Sequence, residues 1–286
     1  MAIVKLNLAR NCIKYLIKVY GIKEIFIPYY TCETVWTSAK ESGCKVKFYH
    51  IDKNFMPLVD FPSEAFILYT NYFGLCTKNC QTLAKKYPHI IIDNAQAFYA
   101  QHCGMADFNS LRKFFPVSNG AYLCTTKVLD EEFSKDDFEL SQTTAQENFE
   151  KFVYNELLLN KEKEIKAISD KAEKDLEKID FAKDKNTRQE IFKIYEKNLI
   201  RFNNIKLTMD SEEIPYCYPF SPNNENIKSK IAQSNLTLIQ LWKNFPKSCS
   251  ESEFLNDTIA LPLTDLNYAE KIISTILDKK KTRELH

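Results

Sequence analysis

Two short segments of this chain carry side chains that could do chemistry together. His89-Ile90-Ile91-Ile92-Asp93 is an apolar run ending in a carboxylate, with Gln96 three positions on, and Ser110-Leu111-Arg112-Lys113 follows in the next segment. An acid at the carboxyl end of a buried strand, with a Ser and a Lys beyond it, suits an enzyme that uses pyridoxal phosphate. That cofactor is an electron sink only while its pyridine nitrogen stays protonated, and a carboxylate against the nitrogen keeps it so. Asp93 fits that part. A lysine must hold the cofactor as an imine, yield it to the substrate amine and move a proton between two carbons. Lys113 fits that one. The phosphate needs hydroxyl and backbone N–H donors, best found where a helix begins. Ser110 and the helix start near Ala9-Arg10-Asn11 are the candidates.

Taken singly, each residue has a plainer reading. A Lys beside an Arg is ordinarily solvated surface charge, an Asp after an apolar strand is often a turn former, and a lone Ser carries little. The ordered set is what points to chemistry. Ser110-x-x-Lys113 also has the form of the Ser-x-x-Lys element of β-lactamases, but the Ser-Asp-Asn and Lys-Thr-Gly partners that reading requires do not occur. With five glycines, none in GxGxxG or GxxxxGK[ST], dinucleotide and phosphate-loop readings fail as well.

The elements that must position these residues follow from pattern. The chain has 286 residues, 44% hydrophobic and 13% aromatic, enough for a large core and a natural division into one larger and one smaller domain. Leu8, Cys12, Leu16 and Tyr20 form a helical stripe ended by Gly21, and Glu24 to Ile27 reads as a strand stopped by Pro28. Thr31 is expected to cap a helix through about Ser42. Strands follow at Lys45 to His50, Ala65 to Thr70 and His89 to Asp93, with a helix at Gln81 to Lys86. Apolar strands alternating with helices predict a mostly parallel sheet with ligands at the strands' carboxyl ends, where Asn71, Asp93 and Gln96 fall.

From about residue 128 the chain becomes densely charged. Ile165, Ile168, Ala172, Leu176 and Ile179 read as one stripe on a charged helix, and Ile191, Tyr195, Leu199 and Phe202 as another. Strands at Ile214 to Tyr218, Leu236 to Leu241 and Thr258 to Leu261, with helices near Asn226 to Ala232 and Tyr268 to Leu277, complete a small α/β domain. The boundary is expected near residue 140, giving a cofactor-binding domain over 1–140 and a small C-terminal domain over 141–286.

Charge and cysteine usage narrow the partners. With 39 basic and 38 acidic side chains the net charge is +1, and no basic patch interleaves with aromatics as a nucleic-acid surface requires. The nine cysteines show no paired CxxC pattern and the four histidines have no metal-ligand spacing, so no metal site is expected and the thiols are expected to be reduced. No stretch is long enough for a membrane span or suited to a signal peptide, so the cytoplasm is the expected compartment.

The residues from Leu8 to Leu123 resemble the sugar aminotransferases of the DegT/StrS type, fold-type I pyridoxal phosphate enzymes. The landmarks are Ile25-Phe26-Ile27-Pro28-Tyr29-Tyr30-Thr31, Tyr69-Thr70-Asn71-Tyr72-Phe73-Gly74, Asp93-Asn94-Ala95-Gln96-Ala97 and Ser110 to Gly120. Arg112-Lys113-Phe114-Phe115-Pro116-Val117-Ser118-Asn119-Gly120 is similar to a short, divergent branch found among polysaccharide-biosynthesis proteins. The resemblance implies a three-layer α/β fold and homodimers with active sites at the subunit interface. It implies amino transfer from a donor such as glutamate to a keto-sugar, expected in the nucleotide-linked form. Asp93 then pairs with the pyridine nitrogen, Gln96 reaches the ring oxygen, Ser110 binds phosphate and Lys113 forms the imine.

Several positions depart from the family pattern. Its Ser-Gly-Thr phosphate element is Leu8-Ala9-Arg10 here, leaving backbone N–H groups and Arg10. The aromatic that stacks on the cofactor ring is Cys32, with Tyr29, Tyr30 or Phe73 as substitutes. The Ser-to-Lys spacing and the glycine-rich run after the lysine are both shortened. Two further readings stay open: a catalytically silent relative acting as a binding or assembly subunit, and a cofactor-dependent dehydration or decarboxylation.

Overall fold

The structure is a computed structural model and describes residues 1–137, 148–161, 163–242 and 249–277. Its frame is a seven-stranded sheet of β1 (Ala2–Leu6), β2 (Glu24–Pro28), β3 (Lys45–Tyr49), β4 (Phe66–Thr70), β5 (Ile90–Asn94), β6 (Ala106–Asn109) and β7 (Ala121–Thr125). The spatial order is β1-β7-β6-β5-β4-β2-β3. Strands β3, β2, β4, β5 and β6 are mutually parallel, and β7 runs antiparallel to both of its neighbours. The expected mostly parallel α/β sheet is therefore what forms. The central β5 is buried at all five positions, which is why its sequence is a continuous apolar run and not an alternation.

Alternate residues of these strands feed two cores. Leu68 and Ile91 face the layer made by α1 (Ala9–Tyr20) and α2 (Glu33–Glu41). Ile67, Tyr69, Ile90 and Ile92 face the opposite layer, which includes α3 (Thr77–Lys86). Helix α1 ends as the sequence predicts, with Gly21 left-handed at φ 64 and its N–H returned to the last turn. Thr31, expected as a cap for α2, is instead buried and bonded to Thr70 across the sheet, 3.1 Å between hydroxyls, and Cys32 takes the cap position. Strands β1, β6 and β7 were not foreseen. β1 is an edge strand with little burial to pattern it, and β6 and β7 are short.

After β6 the chain makes the short helix α4 (Leu111–Phe114). The charged region contains α5 (Phe149–Leu159), α6 (Asp170–Leu176) and α7 (Phe181–Leu199). The stripe from Ile165 to Ile179 is not one helix, because Ser169 caps α6 through the Ala172 N–H and leaves Ile165 and Ile168 ahead of it. The remaining elements are β8 (Cys217–Phe220), α8 (Glu225–Gln233), β9 (Ile239–Gln240), α9 (Ser252–Leu255), β10 (Ile259–Pro262) and α10 (Leu266–Leu277). Strands β8, β10 and β9 make a small antiparallel sheet. One apolar core runs from Ile67 and Ile92 of the large sheet through Phe192 and Tyr195 of α7 to Tyr218, Leu261 and Ile272.

The turn after β4 fixes how the two sheets meet. Phe73 lies in the left-handed region at φ 60, held by its N–H to Gln96 Oε1 (2.9 Å) and by its carbonyl, which accepts from the Tyr216 N–H (2.8 Å). Gly74 follows at φ 78, and a Cβ there would lie 2.6 Å from the Gln96 carbonyl oxygen and 3.1 Å from the Pro215 Cα. Both the conformation and the space exclude a side chain. Gly74→Ala is expected to destabilise the fold by at least about 2 kcal/mol, read as a lower urea midpoint.

Candidate active site

Strands β5 and β6 are paired in parallel, with Asp93 opposite Phe108 and Asn94 opposite Asn109. Their carboxyl ends are therefore level, and both chains leave the sheet on the same side, beside the start of α1. A cavity of about 290 Å³ opens there, near the lower end of the ~300–1,000 Å³ usual for small-molecule sites. Ala9, Arg10, Asp93, Gln96, Ser110 and Lys113 all line it. Six of the seven residues singled out from sequence thus meet in one place. Asn71 does not, because its amide is committed within the fold: Nδ2 donates to Asn94 Oδ1 and Oδ1 accepts from the Cys76 N–H, each at 3.0 Å.

Asp93 is 4% exposed, and its Oδ1 accepts the Ala95 N–H at 2.8 Å. Burial pushes its pKa up. The Lys113 charge and the Ala95 N–H oppose that without overcoming it, so the carboxyl stays above its ordinary range. A positive group set against it would favour the ionised form. Gln96 is also buried, with Oε1 held by the Phe73 N–H and Nε2 without a partner among the described residues. A buried unpaired donor in the wall of a cavity is costly unless a ligand supplies the acceptor.

Lys113 sits on α4, which starts at Ser110. The Ser110 hydroxyl caps no backbone amide of this helix. Gly120 seats α4 from beneath: its carbonyl accepts the Leu111 N–H at 3.0 Å, and a Cβ would lie 2.5 Å from Leu111 Cδ1. The Lys113 ammonium is 6.0 Å from the centre of the Tyr216 ring. Behind α4, the guanidinium of Arg188 on α7 is completely buried. It donates to the Phe114 and Tyr216 carbonyls, each at 3.2 Å, and pairs with Asp184 at 2.9 Å. One side chain therefore ties the lysine's helix to the tyrosine facing it.

Several cavity residues had no signal in the sequence reading. Tyr216 and Trp242 come from the small-sheet region, and Phe152 and Glu156 come from α5. Arg112 lines the cavity beside Lys113 and is ion-paired to Glu156. Of the positions considered for stacking on a cofactor ring, Cys32 lines the cavity, whereas Tyr29, Tyr30 and Phe73 pack in the aromatic core. The aromatic faces of the cavity come from sequence-distant residues that local pattern does not connect.

No protein-family model matches the chain, and no curated protein is similar enough in sequence to match. Solved structures do match. A DegT DnrJ EryC1 StrS aminotransferase from Brucella abortus aligns with TM-score 0.63 at 14% identity, over 96% of this chain and 85% of that one. DesV from S. venezuelae, solved with a ketimine intermediate, aligns at 0.65 and 13% identity, covering 96% and 84%. Spr1654 from Streptococcus pneumoniae, assigned as a sugar aminotransferase and solved in its PLP form, aligns at 0.63 and 13% identity, covering 96% and 86%. The chain has the fold of these proteins over nearly its whole length, the fold that the sequence resemblance implies.

Two outcomes test this geometry. Replacing Arg188 with Leu leaves two carbonyls and Asp184 without their buried partner and is expected to cost about 3–5 kcal/mol in chemical denaturation. Asp93→Asn is expected to raise the melting temperature of the ligand-free protein at neutral pH. Because burial raises the Asp93 pKa in the fold, its contribution to stability is greatest below the unfolded carboxylate value and is lost as pH rises through the folded one. The Asn variant should lack that loss in a melting series from pH 4 to 8.

Proposed function

We propose that the protein is a pyridoxal phosphate-dependent aminotransferase that transfers an amino group, from a donor such as glutamate, to a keto-sugar, nucleotide-linked, in surface polysaccharide biosynthesis. The observation that carries the reading is the convergence of Asp93, Gln96 and Lys113 on one cavity, in a fold that structures of aminotransferases share. The side chains fit the cofactor. Asp93 is a buried acid whose ionised form needs a cationic partner, and Gln96 presents an unpaired amide donor inside the protein. We further propose a cytoplasmic homodimer, with residues 1–140 as the cofactor-binding domain and 141–286 as the small domain. Among the described residues no helix is long and apolar enough to cross a membrane.

Pyridoxal phosphate, when bound, supplies an electron sink for the pair left behind as a proton leaves the substrate carbon. The protein's part is holding and moving protons. Asp93 would keep the cofactor's ring nitrogen protonated, and Gln96 Nε2 would donate to its ring oxygen. Lys113 would hold the cofactor through its Nζ, and its free amine would be the base that takes a proton from one carbon and returns it to another. Ser110 and the first backbone N–H groups of α1, at Ala9 and Arg10, bind the phosphate. Tyr216 and Trp242 wall the cavity and exclude water from the reacting atoms.

Purified protein is expected to gain a visible absorbance with pyridoxal phosphate. Borohydride should fix the label to Lys113, as read by peptide mass. Lys113→Ala should lose the absorbance and at least about 10²–10⁴-fold in glutamate-dependent amino transfer. A variant lacking Lys113 that still transaminates would overturn the assignment.

A further inference from the structure

The end of the cavity beside α1 is cationic, and its charge is only half matched. Arg10 and Arg112 both reach Glu156 of α5: Arg10 Nη2 lies 2.7 Å from Oε2, and Arg112 Nη1 donates to Oε1. Two guanidiniums thus share one carboxylate, leaving one positive charge in the wall. The Arg112 side chain is 6% exposed, and its Nη2 has no partner among the described residues. Helix α1 opens at the same end with Leu8 as its cap residue, which provides no side-chain bond, and its first turn carries no acid. Its leading N–H groups therefore keep their affinity for an anion.

Besides this clasp, α5 is held by Arg10 Nη1, which donates to Asn160 Oδ1 at its C-cap, and by the buried Asn155. The helix's buried apolar contact is a satellite of Leu159 and Leu158 against Leu8, separate from both main cores. Val153, Tyr154 and Leu157 point away and are exposed. Phe152 lies under the Arg112 guanidinium, 5.2 Å from its ring centre. Glu156 is the ionic link that holds α5 to both cavity arginines.

We propose that Arg10 and Arg112 form the seat of a phosphate monoester, and that Glu156 stands in that seat as a surrogate anion which the phosphate must displace, releasing α5 from the cavity mouth. The charges favour the exchange, since a dianion neutralises both guanidiniums where the carboxylate neutralises one. The tetrahedral oxygens also satisfy the unpaired Arg112 donor and the α1 amides together. The proposal rests on the pyridoxal phosphate reading for one source of the phosphate, the cofactor; the substrate's own phosphate is the other.

The test uses the whole chain and three probes: inorganic phosphate, pyridoxal phosphate and pyridoxal. Amide hydrogen exchange over residues 149–159 is expected to rise when phosphate replaces chloride at equal ionic strength. Glu156→Gln, with unchanged circular dichroism, should show the raised exchange without phosphate. It should also bind phosphate on the order of tenfold more tightly, within the range usual for coupled sites. If the cofactor supplies the phosphate, Glu156→Gln tightens pyridoxal phosphate by a similar factor and leaves pyridoxal unchanged, while Arg112→Gln weakens only the former. A phosphate response with equal effects on the two aldehydes supports the seat and assigns it to the substrate. Exchange over α5 indifferent to phosphate, in wild type and variant alike, overturns the proposal. The absence of any absorbance with either aldehyde instead counts against the cofactor reading, and the phosphate arm still reads the seat.

Discussion

A single buried guanidinium holds the working parts of this molecule in register. Arg188 is completely enclosed and donates to carbonyls at Phe114 and Tyr216, residues about a hundred positions apart in sequence whose rings pack 5.9 Å apart. Such a group is tolerated only because Asp184 and the Phe114 ring, 4.5 Å from the guanidinium carbon, complete its surroundings. The helix bearing Lys113 and the segment bearing Tyr216 have no strand pairing with one another. Their separation is set by the span of one arginine side chain, which is also where the core of the large sheet becomes the core of the small one.

The cavity is electrostatically divided. Burial raises the Asp93 pKa against the opposing Lys113 charge, so the carboxylate gains from a ligand that brings positive charge to it. At the other end two arginines work against one glutamate. Burial pushes the Glu156 carboxyl up, yet the two guanidiniums beside it outweigh burial and hold it below the usual carboxylate range. A ligand cationic at its ring nitrogen and anionic at its phosphate matches both ends.

The sequence exposed those parts of this arrangement that are local. The continuous burial of Ile90 to Ile92 reads directly from composition, and Gly21 ends α1 for a reason visible in the chain itself. Asp93, Gln96, Ser110 and Lys113 could be grouped because two adjacent parallel strands deliver them, so proximity in space follows from proximity in sequence. Thr31 was misread because capping propensity ignores the sheet, where its hydroxyl finds Thr70. The helix expected over Ile165 to Ile179 failed because an apolar stripe does not disclose a cap within it, and Ser169 supplies one. Tyr216, Trp242 and Glu156 reach the cavity through tertiary packing, and no spacing in the chain connects them to Lys113.

That contrast bears on how a chain so distant in sequence can keep this fold and rebuild its site. The positions set by strand register cannot move without shifting an entire strand, so the acid at the end of β5 and the helix after β6 are fixed by the sheet. The end of the cavity beside α1 has no such constraint. It is bounded by the first turn of α1 and by α5, which is held by the Leu8, Leu158 and Leu159 cluster and by polar contacts to Arg10 and Arg112. Arg10 and Arg112 bring two positive charges there, and Glu156 answers one of them. The remaining positive charge leaves the end of the cavity beside α1 suited to an anion.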